Sequence, residues 1–399
     1  MSKSEPSHTR LSQRCISEKV RALPPSGIRK FFDLLSSMEG VISLGVGEPD
    51  FVTPWYIREA AIYSLEKGYT MYTSNKGTPE LRAELSRYLE SHFGLTYDPE
   101  DEILITVGVS EGLDLAARAI LNPGDEVIIP DPCYVAYPAA ISLAGGTPVR
   151  VPTTVDNDFE ITAADIESRI TPKTKAILIG YPCNPTGAVL PRDELERIAE
   201  VVKRYNLLAI SDEIYCQLVY GVDHTCLASL PGMRDRTILL NGFSKAYAMT
   251  GWRLGYAVCN REIIGAMTKI HQYTIMCASI MGQMAALEAL KSNDREVDVM
   301  VRDYDRRRRI IVKGFRSIGL SCFEPKGAFY AFPSIKVTGM TSEEFAEKLL
   351  MEEKVAVVPG TAFGQCGEGY IRCCYATSLP EIEEAIKRMG RFVDRHRKK

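Results

Sequence analysis

The sequence has little histidine, five residues scattered along 399, and no two of its eleven cysteines stand three apart. A zinc-type site built on C-x-x-C or on closely spaced histidines is therefore not expected, and no metal is assigned. An odd number of cysteines without a paired spacing reads as free thiols, small hydrophobes in a reducing compartment. No apolar run approaches the roughly 18 residues that a membrane span needs, and the start, Met1-Ser2-Lys3-Ser4-Glu5-Pro6, is polar with no apolar signal core. The expectation is a soluble, cytoplasmic protein with no membrane partner. Positive charge is not in excess either: 48 Lys and Arg against 51 Asp and Glu leave a net charge of −3, so no nucleic-acid partner is expected. Neither G-x-x-x-x-G-K-[ST] nor G-x-G-x-x-G occurs, which removes support for phosphate-loop nucleotidases and dinucleotide enzymes.

What is present is a long alternation of apolar runs and helical stripes. Runs at 103–107, 127–129, 147–151, 176–179, 207–210 and 237–240 read as strands, with helices predicted over 110–121, around 134–144, and on the stripe Leu195, Ile198, Ala199, Val202. The runs are short, continuous and apolar, as strands covered by helices on both faces are, so a mostly parallel α/β sheet is expected. In such a sheet the ligand lies beyond the carboxyl ends of the strands. After about residue 290 the pattern loosens into an α+β region. A long polar helix runs through Arg306 to Arg309, and strands are predicted at 328–332, 355–358 and 370–375. Capping boxes start helices at Thr341 with Glu344 and at Ser378 with Glu381. The four arginines read as a solvated helix face, balanced by Asp303 and Asp305. The first 50 or so residues read as an arm packed on this smaller region.

Four polar features interrupt the apolar runs. Asp212 ends one strand, where a helix cap is the ordinary explanation. Lys245 follows another, where solvation is the ordinary fate of a lone lysine. Asn184-Pro185-Thr186-Gly187 is common turn grammar. Arg372 lies inside the apolar run at 370–376 and needs an anion, its fork suiting a carboxylate. One explanation joins them: a lysine to hold an aldehyde cofactor, an aspartate to hold a pyridinium nitrogen, and an arginine to hold a substrate carboxylate. That is the equipment of a pyridoxal 5'-phosphate (PLP) enzyme acting on amino acids.

The chain resembles the class I aminotransferases of PLP fold type I, prokaryotic aspartate/aromatic branch, over nearly its whole length. The matching stretches are Ser43 to Asp50 (SLGVGEPD), Asn184 to Gly187, Ser211 to Tyr215 (SDEIY), Gly242 to Gly255 around Lys245, and Tyr370 to Ser378 around Arg372. The resemblance implies an α/β fold: a large domain with a mostly parallel seven-stranded sheet (56–299), a smaller α+β domain (300–399), and an N-terminal arm and part of the small domain (1–55). It implies that Lys245 forms the Schiff base and shuttles protons, that Asp212 partners the pyridine nitrogen, and that Tyr215 and Asn184 donate to the cofactor's phenolic oxygen. Tyr134 is implied to stack on the ring. The phosphate is implied to lie on the N–H groups of Gly108, Val109 and Ser110, with Arg253 and Ser244 beside it and Tyr72 reaching the partner subunit's phosphate in a homodimer. Arg372 and Gly45 are implied to hold the substrate carboxylate, and the bonds before Pro132 and Pro185 to be cis.

The implied activity is ping-pong transfer of the amino group of an L-amino acid, of the aspartate, aromatic or alanine class, to a 2-oxo acid such as 2-oxoglutarate. A PLP-dependent lyase of the β-elimination type shares the fold and is the alternative. An effector-binding module of a transcription regulator would need a DNA-binding domain ahead of Gly45, where no helix-turn-helix is seen. Some dicarboxylate-specific members carry a lysine where Ser110 stands, which disfavours strict dicarboxylate specificity. Lys76 or Arg29 could meet a side-chain carboxylate, with surface solvation the ordinary expectation for each. Cys373 and Cys374 are expected simply to pack.

Overall fold

The protein is described here from a computed structural model covering residues 15–24, 38–292 and 294–398. Its centre is a seven-stranded sheet in the order β2-β8-β7-β6-β5-β3-β4. The strands are β2 (Ile103–Thr106), β3 (Glu126–Asp131), β4 (Thr147–Pro152), β5 (Thr174–Ile179), β6 (Leu208–Asp212), β7 (Thr237–Gly242) and β8 (Gly255–Val258). β8 runs antiparallel to both of its neighbours and the other six run one way. The sequence reading finds those six and misses β8.

Burial explains the continuous apolar runs. Val127 and Ile129 face a layer containing Leu113, Ala117, Ile141 and Met267, from helices Gly108–Ile120, Ala136–Ala144 and Arg261–Thr274. Ile128, between them, faces the opposite layer with Leu195, Ile198 and Val202 from helix Arg192–Arg204. Successive residues point to opposite faces and both faces are covered, so every position must be apolar.

Two small sheets lie outside the large one. β1 (Ile42–Ser43) pairs in parallel with β10 (Val355–Ala356). β9 (Tyr330–Ala331), β11 (Val358–Pro359) and β12 (Ile371–Cys374) form an antiparallel sheet in the order β11-β12-β9. The run expected as one strand at 355–358 is thus two, divided at Val357. Both predicted capping boxes form, at Thr341 for helix Ser342–Glu353 and at Ser378 for helix Leu379–His396. The N-terminal segment is split in its packing: β1 joins this outer region, whereas helix Glu18–Ala22 lies against helix Ala136–Ala144 of the large sheet.

The four-arginine stretch departs from a purely solvated face. It lies within helix Arg295–Ser317. Arg306 and Arg309 are exposed, but Arg307 and Arg308 are buried. Arg307 bridges Asp50 at 2.7 Å and Asp303 at 2.6 Å; Arg308 bridges Asp305 at 2.8 Å and Glu324 at 2.9 Å. Asp303 and Asp305, the acids that the sequence places beside the arginines, are joined by Asp50 and Glu324, so each buried guanidinium has two carboxylate partners. Among the described residues no helix is long and apolar enough to cross a membrane.

Candidate active site

The carboxyl ends of the parallel strands open into a cavity of about 370 Å³. Its walls include Gly45, Val109, Ser110, Tyr134, Asn184, Asp212, Tyr215, Ser244, Lys245, Arg253 and Arg372, so eleven of the thirteen site residues expected from sequence meet there. The other two are Gly108 and Tyr72. Gly108 is buried just behind the wall at φ +73°, where an added Cβ would stand 2.5 Å from Arg253 Nη2. Tyr72 is 81% exposed and lines a separate surface hollow with Met71, Cys277 and Met281.

Each strand end supplies a group. Asp212 is the last residue of β6 and only 8% exposed. Tyr137 Oη donates to its Oδ2 at 2.9 Å and the Ile214 amide to its Oδ1 at 3.2 Å. Both donors are neutral. Burial pushes its carboxyl up to about 6, against the opposing pull of those hydrogen bonds.

Lys245 follows β7. Its Nζ donates to the Gly47 carbonyl at 2.6 Å and lies over the Phe329 and Tyr215 rings at 5.5 and 5.9 Å. Burial lowers its ammonium to about 8, and Arg372 and Arg253 push the same way while Cys374 and Glu48 oppose. Tyr215 Oη shares a 2.7 Å hydrogen bond with Tyr330 Oη.

Arg372, in the middle of β12, is 3% exposed. It donates from Nη1 to Asn184 Oδ1 at 2.9 Å and from Nη2 to the Gly45 carbonyl at 2.7 Å. The Tyr330 and Phe363 rings lie 4.4 and 4.8 Å from its guanidinium carbon, and its Nε has no hydrogen-bond partner among the described residues.

Helix Gly108–Ile120 begins at the cavity wall, presenting the first-turn N–H groups that no helix satisfies internally. Arg253 lies against this turn, held by an Nη1 hydrogen bond of 3.1 Å to the Thr250 carbonyl. The peptide bonds before Pro132 and Pro185 are cis, and so is the bond before Pro182, which the sequence reading does not anticipate.

Sequence reasoning misses Tyr137 and Tyr330. Tyr137 lies in the first turn of helix Ala136–Ala144, three residues after Tyr134, and its ring meets the Tyr134 ring edge-on at 5.6 Å; the helix expected around 134–144 would have placed the two on one face. Tyr330 sits in an apolar run beside Phe329 and Phe332, and nothing in its spacing separates it from packing residues. Lys76 does not enter the cavity: its Nζ is held by Asp101 at 2.9 Å and by the Glu100 carbonyl at 2.7 Å. Arg29 lies outside the described residues. Cys373 and Cys374 are both buried, and all eleven cysteines are free thiols.

The donor set fits PLP on this structure's own terms. A buried carboxylate with only neutral donors lacks a cation, which a pyridinium N–H supplies. A helix N-terminus with an arginine beside it suits a phosphate. An amine kept partly neutral by burial suits an aldehyde.

The raised carboxyl of Asp212 gives a pH signature in cofactor-free protein. The native state holds a proton that the unfolded state releases near 4, so the stabilisation is full below about 4 and is lost as pH rises through about 6. The loss is of order 3 kcal/mol. The stability gap between Asp212→Asn and wild type should therefore widen in favour of the variant between pH 4.5 and 7, by urea unfolding. A constant gap would contradict the assignment.

Comparison with known proteins agrees with the geometry. Residues 39–389 match the family "Aminotransferase class I and II". A putative aminotransferase of Bacillus subtilis (YugH) is 58% identical over 95% of this chain and 98% of its own. The aspartate aminotransferase of Pyrococcus abyssi is 46% identical over 95% of this chain and 98% of its own. The crystal structure of an aromatic aminotransferase from Pyrococcus horikoshii superposes with a TM-score of 0.88 at 45% identity, over 92% of this chain and 99% of its own. The chain belongs to the class I and II aminotransferases, and it is an enzyme of the transaminase type.

Proposed function

We propose that the protein is a PLP-dependent aminotransferase that moves the amino group of an L-amino acid, of the aspartate, aromatic or alanine class, to a 2-oxo acid such as 2-oxoglutarate in two half-reactions. The observation that carries this reading is the convergence of Lys245, Asp212 and Arg372 on one cavity. Relatives named for aspartate and for aromatic amino acids support the substrate class. PLP supplies an aldehyde that condenses with amines and a ring that takes up the electron pair of a cleaved Cα–H bond.

The chain's residues do the rest. Asp212 holds the ring nitrogen protonated with its carboxylate. Tyr134 covers the ring face, and Tyr215 and Asn184 donate to the phenolic oxygen. Asn184 is oriented for this because its Oδ1 is already taken by Arg372, leaving the amide NH₂ to donate. The N–H groups at Gly108, Val109 and Ser110, with Arg253 and Ser244, bind the phosphate. Arg372 takes the substrate carboxylate, with Gly45 alongside. Lys245 Nζ would take the proton from the substrate Cα and return it two atoms along, at the carbon of the cofactor's former aldehyde, work that suits an amine whose ammonium burial lowers to about 8.

The same reading includes a homodimer in which Tyr72 reaches the partner's phosphate. Its support is the exposure of Tyr72 outside its own cavity, together with exposed Trp55, Tyr63, Leu65, Met71 and Tyr273. A cytoplasmic setting accords with eleven free thiols.

The deciding experiment adds a donor amino acid alone to PLP-loaded enzyme. About one 2-oxo acid per site should be released without ammonia, and turnover should start only when 2-oxoglutarate follows. Continuous ammonia release from the donor alone would establish the lyase instead.

A further inference from the structure

The turn that opens the cofactor-facing helix is an unusual piece of backbone. Val107, its N-cap, has φ −78° and ψ 71°, and Gly108 follows at φ +73°. Thr106 Oγ1 donates to the Gly108 carbonyl at 2.9 Å. A valine side chain cannot cap the helix. The capping carboxylate comes instead from Glu111, one turn in, whose Oε2 accepts the Val107 amide at 2.5 Å.

The other oxygen of that carboxylate, Oε1, accepts from His271 Nδ1 at 2.7 Å. His271 lies on helix Arg261–Thr274, which packs across helix Gly108–Ile120. It is fully buried, and its Nε2 has no hydrogen-bond partner among the described residues. Neither residue lines the cavity. A buried imidazole with one nitrogen unsatisfied carries a desolvation cost, which its bond to Glu111 offsets.

We propose that Glu111 and His271 form a strut that fixes the phosphate-binding turn and so sets how tightly the cofactor is retained. Both are positioning residues, and the inference rests on the PLP reading above. The electrostatics make the strut necessary. A carboxylate in the first turn draws on the same positive helix end that the phosphate uses. Tying one oxygen to the N-cap amide and the other to an imidazole on the neighbouring helix commits Glu111 to groups behind the wall. The amides of Val109 and Ser110 are then left to the phosphate. Without the strut, the Val107 amide and His271 Nδ1–H lose their acceptor, and the turn loses the contact that anchors it to helix Arg261–Thr274.

The test is PLP affinity, measured by equilibrium dialysis of the purified full-length enzyme and its variants. Glu111→Ala should raise the PLP dissociation constant about tenfold. The KM for a donor amino acid at saturating PLP should stay within about twofold, because the strut does not touch substrate. Glu111→Gln keeps an oxygen for the Val107 amide and should stay within about threefold of wild type. A purely structural role would lower the unfolding midpoint and leave the affinity of the folded fraction unchanged; that result overturns the proposal, as would Glu111→Gln binding as weakly as Glu111→Ala. Should Glu111→Ala fail to fold, His271→Ala keeps the Val107 bond and should weaken PLP about threefold; wild-type affinity there also overturns it. If the wild-type protein itself bound no PLP, the cofactor reading would fall and the strut with it. If wild type binds and the variants bind equally, only the strut falls.

Discussion

Lys245→Ala is expected to cut turnover by at least about 10⁴-fold while leaving PLP able to bind. On the proposed reading two functions end with that one side chain: the covalent hold on the cofactor's aldehyde and the movement of the Cα proton. Nothing else lining the cavity can replace it. Among the described residues the only other cations on its walls are Arg253 and Arg372, and a guanidinium does not give up a proton in a protein. Phosphate binding is expected to survive the loss of Lys245, because the turn at Gly108 to Ser110 and Arg253 are held by other bonds. Borohydride reduction of the PLP-loaded protein should fix the label on the peptide containing Lys245 in wild type and nowhere in the variant. The variant should also fail the single half-reaction with donor alone. A rate within tenfold of wild type would remove Lys245 from the chemistry.

Legibility in the sequence followed the physics of burial. Five strands of the large sheet are readable because they are buried along nearly their whole length, and the edge strand β4, half-exposed with Arg150 within it, is readable from its β-branched residues Thr147, Val149 and Val151. β8 was not, because it is four residues long, begins with Gly255 and continues a polar motif, so nothing separated it from a loop. The run ending at Val358 was legible as extended chain but not as two strands, since the break at Val357 depends on which neighbour each half pairs with, β1 or β12. Arg307 and Arg308 read like their exposed neighbours because their local partners, Asp303 and Asp305, fit a solvated helix face equally well, while Asp50 and Glu324, which lie on other segments, leave no local signal. In the site, residues that must be charged or amide-bearing stood out against apolar strands, as Asp212, Lys245 and Arg372 did. Tyr330 did not, because an aromatic ring in an apolar run declares nothing about its hydroxyl. Glu111 and His271 were invisible for a related reason: 160 residues separate them, and each alone is an ordinary helix residue.

Arg372→Ala should raise the KM of amino-acid donors by about 10²-fold or more, a larger effect than it has on kcat. The guanidinium is charged and buried, yet its partners in the protein are the neutral Asn184 amide and Gly45 carbonyl. Two aromatic rings, Tyr330 and Phe363, pack against it and restrict its fork without neutralising it. A site that keeps a cation dry and uncompensated is built for an anion that arrives with the substrate, and a carboxylate meets the fork with two parallel hydrogen bonds. The loss should therefore depend on the ligand: an L-amino acid and its oxo acid lose affinity, whereas the decarboxylated amine, already a poor substrate, changes little. Arg372→Lys should recover only part of the loss, because one ammonium cannot offer the carboxylate two parallel bonds and still hold both Asn184 and Gly45. Circular dichroism and the unfolding midpoint guard against collapse of the space between Tyr330 and Phe363. An equal loss for the amino acid and for the amine would mean that Arg372 supports the fold of β12 rather than the substrate, and the carboxylate would then need another cation on the cavity wall.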